Sequence, residues 1–272
     1  MLIKIVWDVS PFIFQIGDFG IRWYSLLFGL SFVFGYLILQ KIFQREGIEI
    51  EVLDKLSMYM LAGTVIGARL GHCLFYEPDY YLSHPLEMIL PVSFQGGFHF
   101  TGFQGLASHG AAIGNSIAIY LFSRKYNRKF LWTMDRVVIV VALAAFLIRT
   151  GNLMNSEIYG HATTLPWGFV FARNNEHIAK HPTQLYEGLS YLIIFFILLF
   201  MYKKYEGKPP LGLLLGTFLT GIFGLRFLVE FIKETQVAFE ENMRLNMGQL
   251  LSIPIVISGI ALIFYSIRKT KI

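Results

Sequence analysis

The sequence predicts an all-α, polytopic membrane protein with seven transmembrane helices. Three observations predict it. Of 272 residues, 55% are hydrophobic, 16% aromatic and only 15% charged, where a soluble domain carries about 25% charged residues. The apolar residues come in blocks of about 20, and at about 1.5 Å per residue each block crosses a hydrocarbon core about 30 Å thick. The basic residues gather in short clusters between alternate blocks, the pattern that sets membrane orientation.

The blocks fall near 21–43, 55–76, 105–124, 132–154, 183–202, 210–232 and 248–268. The third holds Ser108, His109, Asn115 and Ser116 and is the least apolar, but the charge pattern requires it. Lys41 and Arg45 follow the first block, and Arg124, Lys125, Arg128 and Lys129 follow the third. Lys203, Lys204 and Lys208 follow the fifth, and Arg268, Lys269 and Lys271 the seventh. Together these place the four connections on the cytoplasmic side. The segment from Tyr76 to Ser108 has no Lys or Arg and carries Glu77, Asp79 and Glu87, so it is expected outside. The N-terminus is then outside and the C-terminus cytoplasmic. No basic n-region with a cleavage site opens the chain, so the first span is expected to be retained. Segments 77–104 and 155–182 are expected to form a small exterior cap on a single integral-membrane domain covering 1–272.

The net charge of +5 does not indicate nucleic-acid binding, because the basic residues serve topology. The single cysteine, Cys73, excludes an internal disulfide and lies in an apolar block, where a thiol behaves as a small hydrophobe. Seven histidines show no metal-ligand spacing, and no H-E-x-x-H, phosphate loop or G-x-S-x-G occurs, so no metal or cofactor is expected. Rows of small residues spaced by four (Gly63, Gly67, Gly71; Gly110, Gly114; Gly212, Gly216) are expected at close helix contacts.

Ionisable residues inside a span cost about 2.5–3.5 kcal/mol on insertion scales and need a reason. Arg69, His109, Arg149 and Arg226 lie in spans two, three, four and six, and the expected topology puts all four in the outer half of the membrane. Three guanidinium groups and an imidazole at one depth describe an anion site, since the Arg fork suits phosphate. The alternatives remain open. Arg226 could pair with Glu230 at i, i+4, His109 could be a satisfied interior histidine, and Arg136, beside Asp135, is expected to be an interfacial anchor. An anion transporter, a non-catalytic lipid-binding factor and a thiol enzyme using Cys73 are the rival functions.

These polar residues sit in segments that resemble one family. They are Ile21-Arg22-Trp23-Tyr24, Gly67-Ala68-Arg69-Leu70-Gly71 and Gly105-Leu106-Ala107-Ser108-His109-Gly110, followed by the longest, 149–160, from Arg149 through Asn152, Asn155 and Glu157 to Gly160. Pro166-Trp167-Gly168, 181–187 ending in Glu187, Arg226-Phe227-Leu228-Val229-Glu230-Phe231 and Met247-Gly248-Gln249 complete the series. In this order they resemble the prolipoprotein diacylglyceryl transferase family. Ala111 stands where the family usually has a second glycine, and Ile222 where it often has a tyrosine, whose phenol Tyr24 or Tyr186 could partly replace. The stretch 99–104 is longer than usual.

The resemblance implies an inner-membrane transferase with its site toward the outer face. It would move the diacylglyceryl group of phosphatidylglycerol onto the lipobox cysteine thiol of a prolipoprotein, forming a thioether and releasing glycerol phosphate without a cofactor. His109, Arg149 and Arg226 would be catalytic. Tyr24, Arg69, Arg149, Asn152, Asn155, Glu157, Gly160, Glu187 and Arg226 would bind the lipid. The amides would hydrogen-bond the glycerol head group, Glu157 would orient Arg149 or His109, and Arg69 would hold the phosphate or brace the site.

Overall fold

A computed structural model describes residues 5–17, 19–90, 92–94, 97–100, 105–235 and 243–270. The chain is mostly helical and divides into two compact units, Met1–Arg45 with Met134–Ile272, and Glu46–Thr133. The expected insertion at 99–104 lies mostly outside the described residues, at 101–104.

The first unit is built on α1 (Trp23–Arg45), α6 (Phe130–Met154), α7 (Thr183–Lys204), α8 (Leu213–Val229) and α9 (Met247–Thr270). The second holds α2 (Ile50–Phe75), two short helices α3 (Pro78–Ser83) and α4 (Pro85–Ile89), and α5 (Ser108–Lys125). All seven expected spans are therefore long helices, within a few residues of their predicted ends. Six of them (α1, α2, α6, α7, the segment Leu213–Ile232 and α9) are long and apolar enough to cross a membrane. The least apolar, α5, is not among the six.

Short strands add to the helical plan. β1 (Ile5–Trp7) pairs in parallel with β6 (Phe169–Phe171), β2 (Phe12–Ile16) forms a hairpin with β3 (Phe19–Arg22), and β4 (Val92–Ser93) pairs with β5 (His99–Phe100). The β1–β6 pair closes over the end of α6. Trp7 stacks on Phe169 at 5.3 Å between centroids and donates its indole N–H to the Leu153 carbonyl at 3.0 Å. That carbonyl, in the last turn of α6, also accepts from the Ser156 N–H at 3.0 Å, so the helix end is satisfied by the turn and by the indole together. Leu153, Phe169 and Phe171 form a small core with Trp7, Tyr159 and Leu185 packed against it. These contacts order part of the segment 155–182.

α6 is the central element of the first unit. Val140 packs at Gly35 of α1, Phe146 lies at Gly188 of α7, and Asp135 reaches the start of α8. Asp135 is fully buried because it caps α8, accepting hydrogen bonds from the backbone N–H groups of Gly212 (2.7 Å) and Leu215 (2.8 Å). A carboxylate at a helix N-terminus meets both unpaired donors and the positive end of the dipole. Arg136 is also buried and donates to the Gly207 carbonyl at 3.0 Å, which corrects its expected role as an interfacial anchor. It closes the α7–α8 loop instead. Gly212 takes φ +87° at the cap of α8 and still faces α9 as expected, where a Cβ would lie 2.8 Å from the Leu262 side chain.

The remaining glycine rows lie at close helix contacts, as expected. In the second unit a Cβ on Gly63 would come within 2.8 Å of the Ala118 Cβ, and one on Gly114 within 2.8 Å of the Gly67 Cα. Gly67 and Gly110 face each other's backbones as closely. In the first unit Gly216 of α8 meets Gly259 and Ile263 of α9. Without a hydrophobic drive between helices in lipid, such backbone-to-backbone packing holds them.

Substituting Gly67→Val should therefore lower stability by about 1–3 kcal/mol or more, the usual cost of overpacking. Gly29→Ala, where a Cβ meets nothing within 4 Å, should leave it unchanged or slightly raised. Thermal unfolding of the two variants in detergent micelles checks the contrast.

Candidate active site

The predicted polar residues of the first unit converge where α6 and α8 end and α1, α7 and α9 begin. Arg149 lies in the last turns of α6. Its Nε contacts Glu187 Oε2 at 2.7 Å, and its Nη1 donates to Asn152 Oδ1 at 3.0 Å. Asn152 passes the contact on, donating through Nδ2 to Glu157 Oε1 at 2.7 Å, and Asn155 donates to the same oxygen at 3.2 Å. Glu157 thus orients Arg149 through one amide. Both ends of the Asn152 amide are engaged within this chain, and its side chain positions Arg149.

The turn carrying these groups is strained. Ser156 and Ile158 take φ +55° and +62°, a conformation that costs a β-branched residue most. Two fully buried polar residues at the start of α7 hold it in place. Thr183 donates to the Ile158 carbonyl at 2.8 Å and Gln184 to the Glu157 carbonyl at 2.5 Å. Neither was assigned a role from sequence, since each makes sense only once the turn's conformation is known.

Glu187 is completely buried on α7 and is shared. Besides Arg149, it lies 3.4 Å from Lys233 Nζ, and Lys233 contacts Glu230 at 3.0 Å. Glu230 in turn is 3.5 Å from Arg226 Nε and accepts a hydrogen bond from Asn246 at 3.0 Å. Arg149 and Arg226 are thus joined through Glu187, Lys233 and Glu230 across α6, α7, α8 and the residue beyond it. The i, i+4 pairing of Arg226 with Glu230 is real, but it is one-armed. The terminal guanidinium nitrogens of Arg226 make no hydrogen bond among the described residues, and its side chain is 30% exposed. Arg149, without a carboxylate in its own helix turn, finds Glu187 on a different helix. Three cations (Arg149, Arg226 and Lys233) gather with three carboxylates (Glu157, Glu187 and Glu230) here, so the site is charge-balanced.

Asn246 and Gln249 build the approach of α9. Gln249 N donates to Asn246 Oδ1 at 2.8 Å and Asn246 N to Gln249 Oε1 at 3.1 Å, a reciprocal cap in which each side chain serves the other's backbone. Gly248 lets the helix close on Glu230, where a Cβ would meet its carboxyl carbon at 2.7 Å. A phenol also stands in the cluster. Tyr191 of α7 donates to Glu187 at 3.5 Å and engages Arg149. Tyr186 is turned to Trp167 and His181 instead, and Ile222 is buried.

Tyr24 opens α1 and packs its ring and backbone on Gly151, where a Cβ would lie 2.8 Å from its ring. It is near enough to Glu157 and Arg149 to feel both charges. Gly160 acts through backbone. It bridges Lys233 in antiparallel pairing, and a Cβ there would meet Thr183 at 2.8 Å and His181 at 2.9 Å.

Arg69 and His109 belong to the second unit. Arg69 is buried and donates to the carbonyls of Glu87 (2.6 Å) and Met88 (3.3 Å), with its guanidinium 4.8 Å from the Tyr81 ring centre. It braces the α4 segment. Glu87 is buried beside it and accepts from Tyr80 and the Phe94 N–H. His109 is the second residue of α5. It is exposed and makes no hydrogen bond among the described residues, unlike a satisfied interior histidine. Ala107 N donates to the Ala68 carbonyl at 2.9 Å, so the start of α5 is tied to the Arg69 turn of α2. Cys73 is wholly buried.

Above the cluster, Lys180 contacts Glu176 at 2.7 Å and Glu234 at 2.6 Å and lies 4.8 Å from the Tyr159 ring. The hydrogen bond from Lys180 holds the Glu176 carboxyl below its ordinary range. Burial alone would lower the Lys180 ammonium, but the two carboxylates raise it.

Apolar helices of spanning length, with a buried ion-pair network at one end of five of them, define a multi-pass membrane protein that carries its polar site within its helices. The comparisons narrow this. Residues 11–265 match the model of the family described as prolipoprotein diacylglyceryl transferase. A Bacteroides fragilis protein named phosphatidylglycerol–prolipoprotein diacylglyceryl transferase is 44% identical over 274 residues, covering 100% of this chain and 99% of the relative. Proteins of the same name from Chloroherpeton thalassium (46% identical; 98% of this chain, 96% of the relative) and Nitrosomonas europaea (37%; 95% and 90%) agree. The chain belongs to the prolipoprotein diacylglyceryl transferase family, which is a family of transferases.

Two predictions follow from the local geometry. Gln184→Leu should lower stability by about 1–3 kcal/mol, the cost of a buried carbonyl left without its donor, and should reduce activity by loosening the Glu157 turn. Unfolding midpoints and turnover measured together check it. Because the Glu176 carboxyl is held down in the folded state, its contribution is complete above the ordinary carboxylate range and is lost as pH falls through it. Acid titration of the unfolding midpoint should therefore show a smaller acid loss in Glu176→Gln than in the parent.

Proposed function

We propose that this chain transfers the diacylglyceryl group of phosphatidylglycerol to the lipobox cysteine of a prolipoprotein, the first step of lipoprotein maturation. The names of its full-length relatives supply the reaction and both substrates. The observation that carries the assignment to particular residues is Arg226: a guanidinium near a helix end, held at Nε by one carboxylate, with its outer nitrogens unengaged among the described residues. A fork so presented suits a phosphodiester.

The lipobox thiol loses its proton to His109, whose exposed ring at the start of α5 is unengaged among the described residues. The thiolate attacks the glyceryl carbon bonded to the phosphate ester oxygen. A C–S bond forms, the C–O bond breaks, and its electron pair stays on the phosphate of the departing glycerol phosphate. Arg226 and Arg149 stabilise that growing charge where water is scarce and electrostatics are strong. Glu157, Asn152 and Glu187 fix Arg149, while Asn155 and Tyr24 face the head group. Arg69 braces its own unit. Full burial of Cys73 supports its role as packing and disfavours an enzyme thiol there.

Both units act as one catalytic domain, and α5 is its seventh span. Its 18 residues extend about 27 Å at about 1.5 Å per residue. Several of its polar groups bond within the helices, with the Asn115 amide donating to Thr64 at 2.8 Å and Ser116 to the Ala112 carbonyl at 2.8 Å, as lipid favours. With α5 crossing, the basic connections share the cytoplasmic side and the site faces outward across the inner membrane, with the N-terminus outside.

Membrane vesicles holding the chain, phosphatidylglycerol and a lipobox peptide should yield a peptide heavier by one diacylglyceryl group. Arg226→Ala should slow this by about 10²–10³-fold, the effect of removing one transition-state charge donor. His109→Gln should slow it by about 10²–10⁴-fold, and Cys73→Ser should retain activity. No mass gain from folded wild-type protein would replace the transferase assignment with lipid binding, and full activity of His109→Gln would show that the thiol ionises without it.

A further inference from the structure

Lys233 was not singled out from sequence, yet it lies at the centre of the charged cluster. Its side chain is 3% exposed and its ammonium reaches two carboxylates, Glu230 Oε1 at 3.0 Å and Glu187 Oε1 at 3.4 Å. Each of those carboxylates also holds one arginine by its inner nitrogen, Arg149 Nε at 2.7 Å and Arg226 Nε at 3.5 Å.

A carboxylate beside an arginine ordinarily closes on it with both oxygens, two parallel N–H···O bonds that occupy the fork. Lys233 competes for the oxygens that would complete that closure. Glu187 gives Oε2 to Arg149 and Oε1 to Lys233. Glu230 gives Oε1 to Lys233 more closely than to Arg226, and its Oε2 accepts from Asn246. We infer that Lys233 is a positioning residue. By dividing Glu187 and Glu230 between itself and the arginines, it keeps the outer nitrogens of Arg226 open to the anionic head group of the lipid substrate.

The backbone shows how Lys233 is held to this task. A 3-10 turn at Glu230–Ile232 ends α8, and Lys233 leaves it in extended conformation. Lys233 bridges Gly160, with Glu234 N donating to the Tyr159 carbonyl at 3.2 Å and His161 N to the Ile232 carbonyl at 2.9 Å. Lys180 fastens Glu234 from the other side at 2.6 Å. The residue is pinned on both flanks while its side chain turns back under the helix end. A buried lysine needs its carboxylates to stay charged, and without it two arginines would face the three carboxylates Glu157, Glu187 and Glu230, so the three-cation, three-carboxylate balance depends on it.

The inference rests on Arg226 binding the lipid phosphate, and the experiment separates the two. Full-length protein in vesicles of graded phosphatidylglycerol content would be assayed with a lipobox peptide, recording KM for the lipid, kcat and the unfolding midpoint. Lys233→Met should raise KM by roughly tenfold, which corresponds to about 1.4 kcal/mol, with a smaller change in kcat. Lys233→Arg should restore most of it. Lys233→Met combined with Glu230→Gln should recover KM toward wild type, because the carboxylate that would close on Arg226 is gone. Unchanged KM in folded Lys233→Met, or a double variant worse than the single, overturns the inference. If Lys233→Met does not fold, Glu230→Gln alone decides: an unchanged or lower KM supports it and a raised KM overturns it. If Arg226→Ala leaves KM for the lipid unaltered, the phosphate role of Arg226 itself fails.

Discussion

The carboxylate of Glu187, buried completely on α7, is the group on which the arrangement of the charged site depends. It holds Arg149 of α6 and Lys233 from beyond α8 at once. A charge so buried is tolerated only when paired and hydrogen-bonded, because the penalty of leaving water exceeds what any single contact returns. The cations have the same need of it. Removing one member leaves the others unpaired in a medium where that is expensive, so α6, α7 and the end of α8 are locked into one relative position by electrostatics.

Around that lock the backbone is bent to suit. The turn after α6 holds two residues at positive φ, one of them β-branched, and is kept there by Thr183 and Gln184. Strain of this kind persists where surrounding structure over-determines it. Its effect is to bring Glu157 back toward Asn152 and so to aim Arg149. Gly151, Gly160 and Gly248 serve the same end by removing the Cβ atoms that would hold Tyr24, the Lys233 strand and α9 away from the cluster.

Much of this was legible in the sequence. Blocks of apolar residues gave the seven long helices to within a few residues, because in lipid every backbone group must be satisfied within its own helix. Small residues spaced by four marked close helix contacts in both units. Arg149 and Arg226 stood out because charges within apolar blocks demand a partner. Arg136 was misplaced, because its position is decided by the loop it closes beside Asp135, which caps a distant helix start, and no local pattern announces a contact over 77 residues.

The sequence by itself determined the helices, the apolar spanning length of six of them and the unusual charges near their ends, since hydropathy and length act locally along the chain. Only the tertiary structure decided how those charges are shared. That Glu187 answers Arg149, that Lys233 divides two carboxylates, and that Arg226 is left one-armed are consequences of which helix ends meet. Coulomb interactions among buried groups depend on distances of a few ångströms between segments far apart in sequence, and those distances exist only once the helices are packed.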